Sequence, residues 1–262
     1  MVRSRDAAMY LLAIKSVYRF IGEGGVCAIL DRGAPPRVHE LLRAHVPGLE
    51  IAYVEDIEVG KCQRGGTWER ILFILDRSHA NYVIQVDADV LALAPLDEVV
   101  DAYKSNRSFT MPQEERGGQG MLDAAAFSRK QDDHITHCAE VAFERYPNAE
   151  NLKYIRGSSG FAGFSKGGFT REQAEAFSQQ ISKLIGERWR EWGSEQVMSN
   201  YAVANSPNAI ALPFRSYHCF DPASGAVPAS SKCLHFIGTI RYAKGSYAAL
   251  GRRVIEELRR DA

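Results

Sequence analysis

Residues 82–91 read YVIQVDADVL. A run this dense in apolar residues predicts a strand buried on both faces, the usual state in a parallel sheet. It runs out at two carboxylates one residue apart, Asp87 and Asp89. Side chains alternate along a strand, so both acids are expected on the same side. Two like charges that close repel and raise each other's pKa. A cation between them reverses that cost, and paired carboxylates suit a hard divalent ion that keeps positions open for phosphate oxygens. The competing reading is a turn or a helix cap, both common places for Asp.

The flanking pattern favours the first reading. Residues 6–21 read as a helix, GGVCAILD (24–31) as a strand, and PPRVHELLRAHV (35–46) as a helix opened by proline. LEIAYVED (49–56) reads as a second strand, and GTWERILFILDRS (66–78) as a helix with Thr67 as candidate N-cap. This β-α-β-α-β alternation predicts a mainly parallel sheet covered by helices on both faces. In such sheets ligands bind beyond the carboxyl ends of the strands, which is where Asp87 and Asp89 stand.

Further along, RGGQGM (116–121) reads as a glycine-rich loop and DDHITHCAEVAFERY (132–146) as a helix. GSSGFAGFSKGG (157–168) reads as a strand closely approached by another backbone or a ligand. Helices at 170–185 and near 193–204, late strands at 208–214 and 232–238, and a closing helix at 246–260 capped by Ser246 complete the chain. No repeat or disordered tract splits the 262 residues.

Composition excludes several classes. Lys plus Arg equals Asp plus Glu at 32 each, so nothing argues for a polyanion, and nucleic acid is not expected as a ligand. Five scattered cysteines without a CxxC read as reduced thiols, which points to a cytoplasmic protein, with peripheral attachment to a membrane as the alternative. No apolar run reaches the roughly 18 residues of a membrane helix. The glycine-rich stretches match neither GxxxxGK[ST] nor a strand-linked GxGxxG, and no GxSxG occurs. A dehalogenase-type phosphatase also uses DxD, but after its first strand and with Thr or Val two places beyond the second Asp; here Leu91 stands there.

Three kinds of residue remain as candidates. His235, in HFIG at the end of a late strand, reads either as a packed histidine or as an imidazole completing a two-carboxylate site suited to manganese. His134 and His137 lie on a polar helix face, without HExxH, and read as solvent-facing. Arg70 reads as a solvated helix residue or, facing a cleft, as a bidentate grip on a diphosphate.

Several stretches fall in the order of a known family. AAMYLLAIKSV, AILDRG, WERILFILDRSHANYVIQVDADVLALAPLDEV, SSGFAGFS, SEQVMSN and HFIGTIR together resemble glycosyltransferase family 8 and its relatives with the GT-A fold, which use nucleotide-sugar donors. The resemblance implies an α/β protein of GT-A type: a three-layer α/β/α fold with a mainly parallel central sheet. It implies one domain over 1–262, with a nucleotide-binding half to about 112, a sugar and acceptor half to about 245, and the closing helix. It implies Mn²⁺ (or Mg²⁺) held by Asp87, Asp89 and His235 at the donor diphosphate, with Asp87 also near the ribose. Arg70, Ser159, Gly238 and Arg241 would contact the donor, and Glu195 and Gln196 would face sugar and acceptor as the catalytic pair. The expected reaction is hexosyl transfer from a nucleoside-diphosphate sugar, with a UDP-sugar as the expected donor, to a glycan, lipid or protein hydroxyl with retention. The alternative is a GT-A-like domain that binds nucleotide or glycan without turnover. The chain departs from the family where Arg241 replaces Lys, where Ser158 or Ser159 replaces Asn, and where Met1 falls almost at the end of the first strand.

Overall fold

The computed structural model describes residues 1–115, 119–224 and 227–260. In chain order it forms α1 (Ala7–Ile21), β1 (Cys27–Leu30), α2 (Pro36–His45), β2 (Glu50–Tyr53), α3 (Trp68–Ser78), β3 (Val83–Val86) and β4 (Val90–Ala92). Then come α4 (Asp97–Lys104), β5 (Phe109–Pro112), β6 (Gln119–Gly120), α5 (Met121–Ser128), α6 (Ile135–Ala142), β7 (Lys153–Tyr154) and β8 (Gly157–Phe164). The last part holds α7 (Arg171–Ile185), α8 (Ser194–Ala204), β9 (Ile210–Ala211), β10 (Tyr217–Cys219), β11 (Cys233–His235), a 3₁₀ segment at Gly238–Gly245 and α9 (Ser246–Arg260). Residues 116–118 of the expected glycine-rich loop lie outside the described residues, and the rest of that stretch forms β6 and the start of α5.

The layered α/β architecture is present, but the strand pairing is mixed rather than mainly parallel. β1 pairs parallel with β2, β5 with β9, and β10 with β11. β8, however, enters antiparallel between β3 and β5. The alternation of strand and helix runs on through α4 to β5, and the helices α5 and α6 then intervene before β8 enters the sheet in the opposite sense. Every residue of β8 is buried, and its glycines let neighbours approach. A Cβ at Gly163 would overlap the ring of Phe109 and the hydroxyl of Tyr82, and one at Gly160 would overlap the imidazole of His235.

The run at 82–91 is not one strand. β3 stops at Val86, a turn closes with the Val90 amide donating to the Asp87 carbonyl at 3.1 Å, and β4 joins a different sheet beside β11. Asp is disfavoured in strands and favoured in turns, so Asp87-Ala88-Asp89 is where the backbone changes direction. The corner is fastened on both sides: Asp87 N donates to Gly160 O at 2.8 Å, and Phe236 N donates to Asp89 O at 2.9 Å. The two acids thus share a side because the chain turns between two sheets, not because a strand alternates.

α3 packs Trp68, Ile71, Leu72 and Leu75 at 0–2% exposure against α7 and α8. Burying each such side chain contributes about 1.5–3 kcal/mol. Thr67 does not cap this helix. Its φ is +72° and no side-chain cap bond forms; the hydroxyl lies instead between the Gly66 carbonyl and Glu195. Ser246 likewise is the first residue of α9 in helical conformation, preceded by Gly245 at φ +68°. His134 caps α6, accepting from the Thr136 amide at 3.2 Å, and His137 pairs with Asp132. A cavity of about 540 Å³ lies between β1 and β3, and Met1 and Arg70 are among the residues that line it.

Candidate metal and donor site

Four elements meet at the corner. The β3–β4 turn supplies Asp87 and Asp89, β11 ends in His235, α3 presents Arg70, and α8 opens with Glu195. The starts of α3 and α8 are pinned together, because Trp68 Nε1 donates to Ser194 Oγ at 2.9 Å. One residue further on, α8 therefore lays Glu195 over Arg70. Arg70 Nη2 donates to Glu195 Oε2 at 3.1 Å, while Arg70 Nη1 pairs with Asp87.

His235 lies 3.1 Å from Asp89 Oδ1 and 3.9 Å from Asp87 Oδ2, through Nε2. Its other nitrogen, Nδ1, is 2.7 Å from Ser158 Oγ. Ligating atoms of Asp87, Asp89 and His235 all lie within 4.8 Å of one another. An octahedral ion with bonds of about 2.1 Å spaces its ligand atoms about 3 to 4.2 Å apart, so this spacing suits a small divalent ion after slight contraction. Two carboxylates and one imidazole also match the donor preferences of manganese. Gly160 forms the floor on which the imidazole rests, a place any side chain would fill.

The electrostatics are those of a buried, balanced cluster. Burial opposes charge on His235, yet the hydrogen bond to Asp89 and the charge of that carboxylate, with Cys219 nearby, outweigh it and push its pKa up to about 10. Burial also works against ionised Asp89, but the hydrogen bond and charge of His235, with Arg241 behind them, hold it below the ordinary value. Glu195 moves the other way. Its burial outweighs the pull of Arg70, and its carboxyl is raised. Glu195 Oε2 accepts from Arg70, from Thr67 Oγ1 at 3.2 Å and from Ser159 Oγ at 3.2 Å. Its Oε1 is buried with no hydrogen-bond partner among the described residues, and Arg70 Nε is in the same position.

The structure thus brings together Asp87, Asp89, His235, Arg70, Ser159 and Glu195. Arg241 joins them from the 3₁₀ segment, 3.2 Å from Asp89 Oδ2. Gly238 is exposed with φ +56°, and its carbonyl accepts from Arg241 Nε at 2.6 Å. Gln196 stands apart: it is half-buried, and no hydrogen bond joins its side chain to the cluster among the described residues. Successive helix positions point about 100° apart, so Glu195 and Gln196 leave α8 in different directions. Sequence reasoning missed Thr67 as a partner of Glu195. It also left Ser158 and Ser159 as alternatives, whereas both are used, one on His235 and one on Glu195. Strand alternation was the available signal, since adjacent residues of a strand face opposite sides.

No protein-family model and no curated protein sequence matches the chain. Solved structures do. A galactosyltransferase, LgtC, in complex with donor and acceptor sugar analogues superimposes with a TM-score of 0.51 at 11% identity, over 95% of this chain and 93% of its own. Mouse xyloside xylosyltransferase 1 in its apo form matches at 0.49 and 11%, over 88% and 92%. Core-mannan synthase A of Aspergillus fumigatus, in an Mn/GDP form, matches at 0.46 and 10%, over 98% and 82%. None of these singles out family 8. At such identities a likeness is one of fold, and the match to LgtC, spanning nearly all of both chains, gives this protein the GT-A fold.

Proposed function

We propose that this protein is a metal-dependent glycosyltransferase, moving a sugar from a nucleoside-diphosphate donor to the hydroxyl of a glycan, lipid or protein. The observation that carries the reading is the convergence of Asp87 and Asp89 with His235, 146 residues beyond Asp89 in sequence, on one point at the strand ends. These three would hold Mn²⁺ or Mg²⁺. The ion supplies charge neutralisation at the leaving diphosphate.

The remaining roles belong to the chain's own groups. Arg70 holds Asp87 and Glu195 in fixed orientations from between them. Glu195, dry and with one oxygen unbonded, faces the sugar carbon as it gains oxocarbenium character and stabilises that charge. Ser159 and Thr67 fix the other oxygen of Glu195. Gln196, on a neighbouring face of α8, positions the acceptor. A UDP-sugar is the expected donor and retention the expected stereochemistry; both rest on the ordered motifs alone.

Asp89→Asn tests the reading. We expect it to leave the melting temperature within about 2 °C, to weaken Mn²⁺ binding at least about 100-fold, and to abolish Mn²⁺-dependent hydrolysis of the donor found by thermal shift. Unchanged hydrolysis in that variant overturns the assignment. A binding domain without turnover is the rival, favoured by the chain's own cations already resting on Asp87 and Asp89. Calorimetry with UDP and Mn²⁺ followed by a turnover assay separates the two, because only the rival binds without forming product.

A further inference from the structure

The sheet is interrupted between β1 and β3. β1 pairs with β2 alone and β3 with β8 alone, so among the described residues no strand pairing joins β1 to β3. Backbone groups alternate sides along a strand, which assigns both facing edges. The Val26 carbonyl accepts from Glu50 at the start of β2. The Ile29 carbonyl instead accepts from the Val2 amide at 2.8 Å, and the Cys27 carbonyl from the Tyr10 hydroxyl at 3.3 Å. Residues 27 and 29 therefore turn away from β2. Just past β3, the Asp87 amide donates to the Gly160 carbonyl of β8, so residues 84 and 86 turn away from β8.

Between these edges lies the cavity of about 540 Å³. Four consecutive residues, Val83–Val86, line it, so it runs along the edge of β3 rather than over one face. α1 closes it with Ile14 and Val17, and α3 with Phe73 and Ile74. Gln85, in its wall, is 4% exposed and donates to the Ser159 carbonyl, but its Oε1 is buried with no hydrogen-bond partner among the described residues. An unpaired strand edge is a template for another strand, and here two such edges face one space. An apolar molecule of the same size would leave both rows of backbone groups unmet. A strand between them would be covered by helices, and strands buried on both faces are apolar throughout rather than alternating.

We propose that this slot binds an extended, Val- and Ile-rich segment of another polypeptide, which inserts as a strand and joins the two sheets. β1 and β3 offer four residues each, which sets the length of the segment. Its main chain bonds Cys27 and Ile29 on one side and Ile84 and Val86 on the other, continuing the pairing that Val2 makes with Ile29. Those bonds and the apolar walls supply the affinity, as in other cases of strand addition. The proposal stands apart from the metal-site reading, because Asp87, Asp89 and His235 take no part in it.

The test adds the peptide acetyl-Lys-Lys-Val-Ile-Val-Val-Lys-Lys-amide to the full chain. At about a hundredfold excess over its Kd we expect the melting temperature to rise by at least about 3 °C. Amide hydrogen exchange at Ile29, Ile84 and Val86 should slow at least about 10-fold. The same peptide N-methylated at alternate residues keeps its apolar surface but loses backbone donors, and calorimetry should find it at least about 10-fold weaker. Ile84→Pro removes an amide that faces the slot and none that faces β8, so it should weaken the unmodified peptide at least about 5-fold. The N-methylated peptide leaves the protein unaltered and decides the matter if that variant melts early. Absence of binding overturns the inference, as does protection confined to other strands. Equal binding of the N-methylated peptide also overturns it, and makes the cavity a pocket for apolar ligands.

Discussion

Glu140 and Glu195 are both buried carboxylates held by a buried arginine, and burial raises the pKa of each against that arginine's pull. Their surroundings differ in completeness. Both oxygens of Glu140 lie 3.0–3.1 Å from Arg156 Nε, and Ser128 donates to one of them. Arg156 in turn stacks 4.4 Å from the centre of the Phe127 ring. At Glu195 three donors crowd one oxygen and the other has none, while Arg70 Nε is also unused. An unsatisfied buried polar atom costs roughly 1–3 kcal/mol, so such a group persists where something else is gained by keeping it. One cluster reads as a completed tie between α5, α6 and the start of β8. The other reads as half of an interaction whose second half arrives with a ligand.

Breaking the completed cluster should produce the largest effect. Glu140→Ala strands Arg156 in the core, and we expect a loss of about 3–5 kcal/mol in chemical denaturation. An isosteric change in the incomplete cluster should act on turnover rather than on stability. Glu195→Gln keeps the shape and leaves Arg70 paired with Asp87. Its stability should therefore move by less than about 1 kcal/mol, while turnover falls about 100-fold, or roughly 2.7 kcal/mol of barrier. If Glu195→Gln proves as destabilising as Glu140→Ala, the contrast between the two clusters disappears.

A rim cluster sets the lower end of the scale. Lys232 bridges Asp97 and Glu98, and Tyr217 donates to Glu98 at 2.6 Å. Burial opposes ionisation of Glu98, but the hydrogen bonds from Tyr217 and Lys232 outweigh it and hold its pKa below the usual 4.5. A carboxyl depressed in the folded state stabilises above its unfolded pKa, and that contribution fades as pH falls through the folded value. Glu98→Gln should therefore lower stability at pH 7 by at most about 1 kcal/mol, after solvent screening, and by less at pH 3. Urea melts at the two pH values check this.

Much of the fold was legible in local pattern. The helices at Ala7–Ile21, Pro36–His45, Arg171–Ile185 and Ser194–Ala204 follow apolar spacing and turn residues closely, because amphipathic periodicity is written within one element. The short strand Tyr217–Cys219 and the helix Asp97–Lys104 escaped, being too brief to impose a period. The antiparallel return of Gly157–Phe164 escaped for another reason: strand direction depends on the path of the connection, which no local pattern encodes. No described helix is long and apolar enough to cross a membrane.

For the site, the residue types and their order came from the chain itself: a DAD corner, a late histidine, an arginine in the helix before the corner, and a glutamate opening a helix. Their contacts did not. Arg70, expected on the donor, is seen to tie two carboxylates together; Thr67 was expected to cap a helix and instead contacts Glu195. Arg241 reached Asp89 across more than 150 residues of chain. A sequence records which groups are present and how each segment wants to fold. Which charges end up within 4 Å of each other, and which lone pairs stay unfilled, is decided by packing between segments, because Coulomb energy and desolvation depend on distances that exist only after the elements have met.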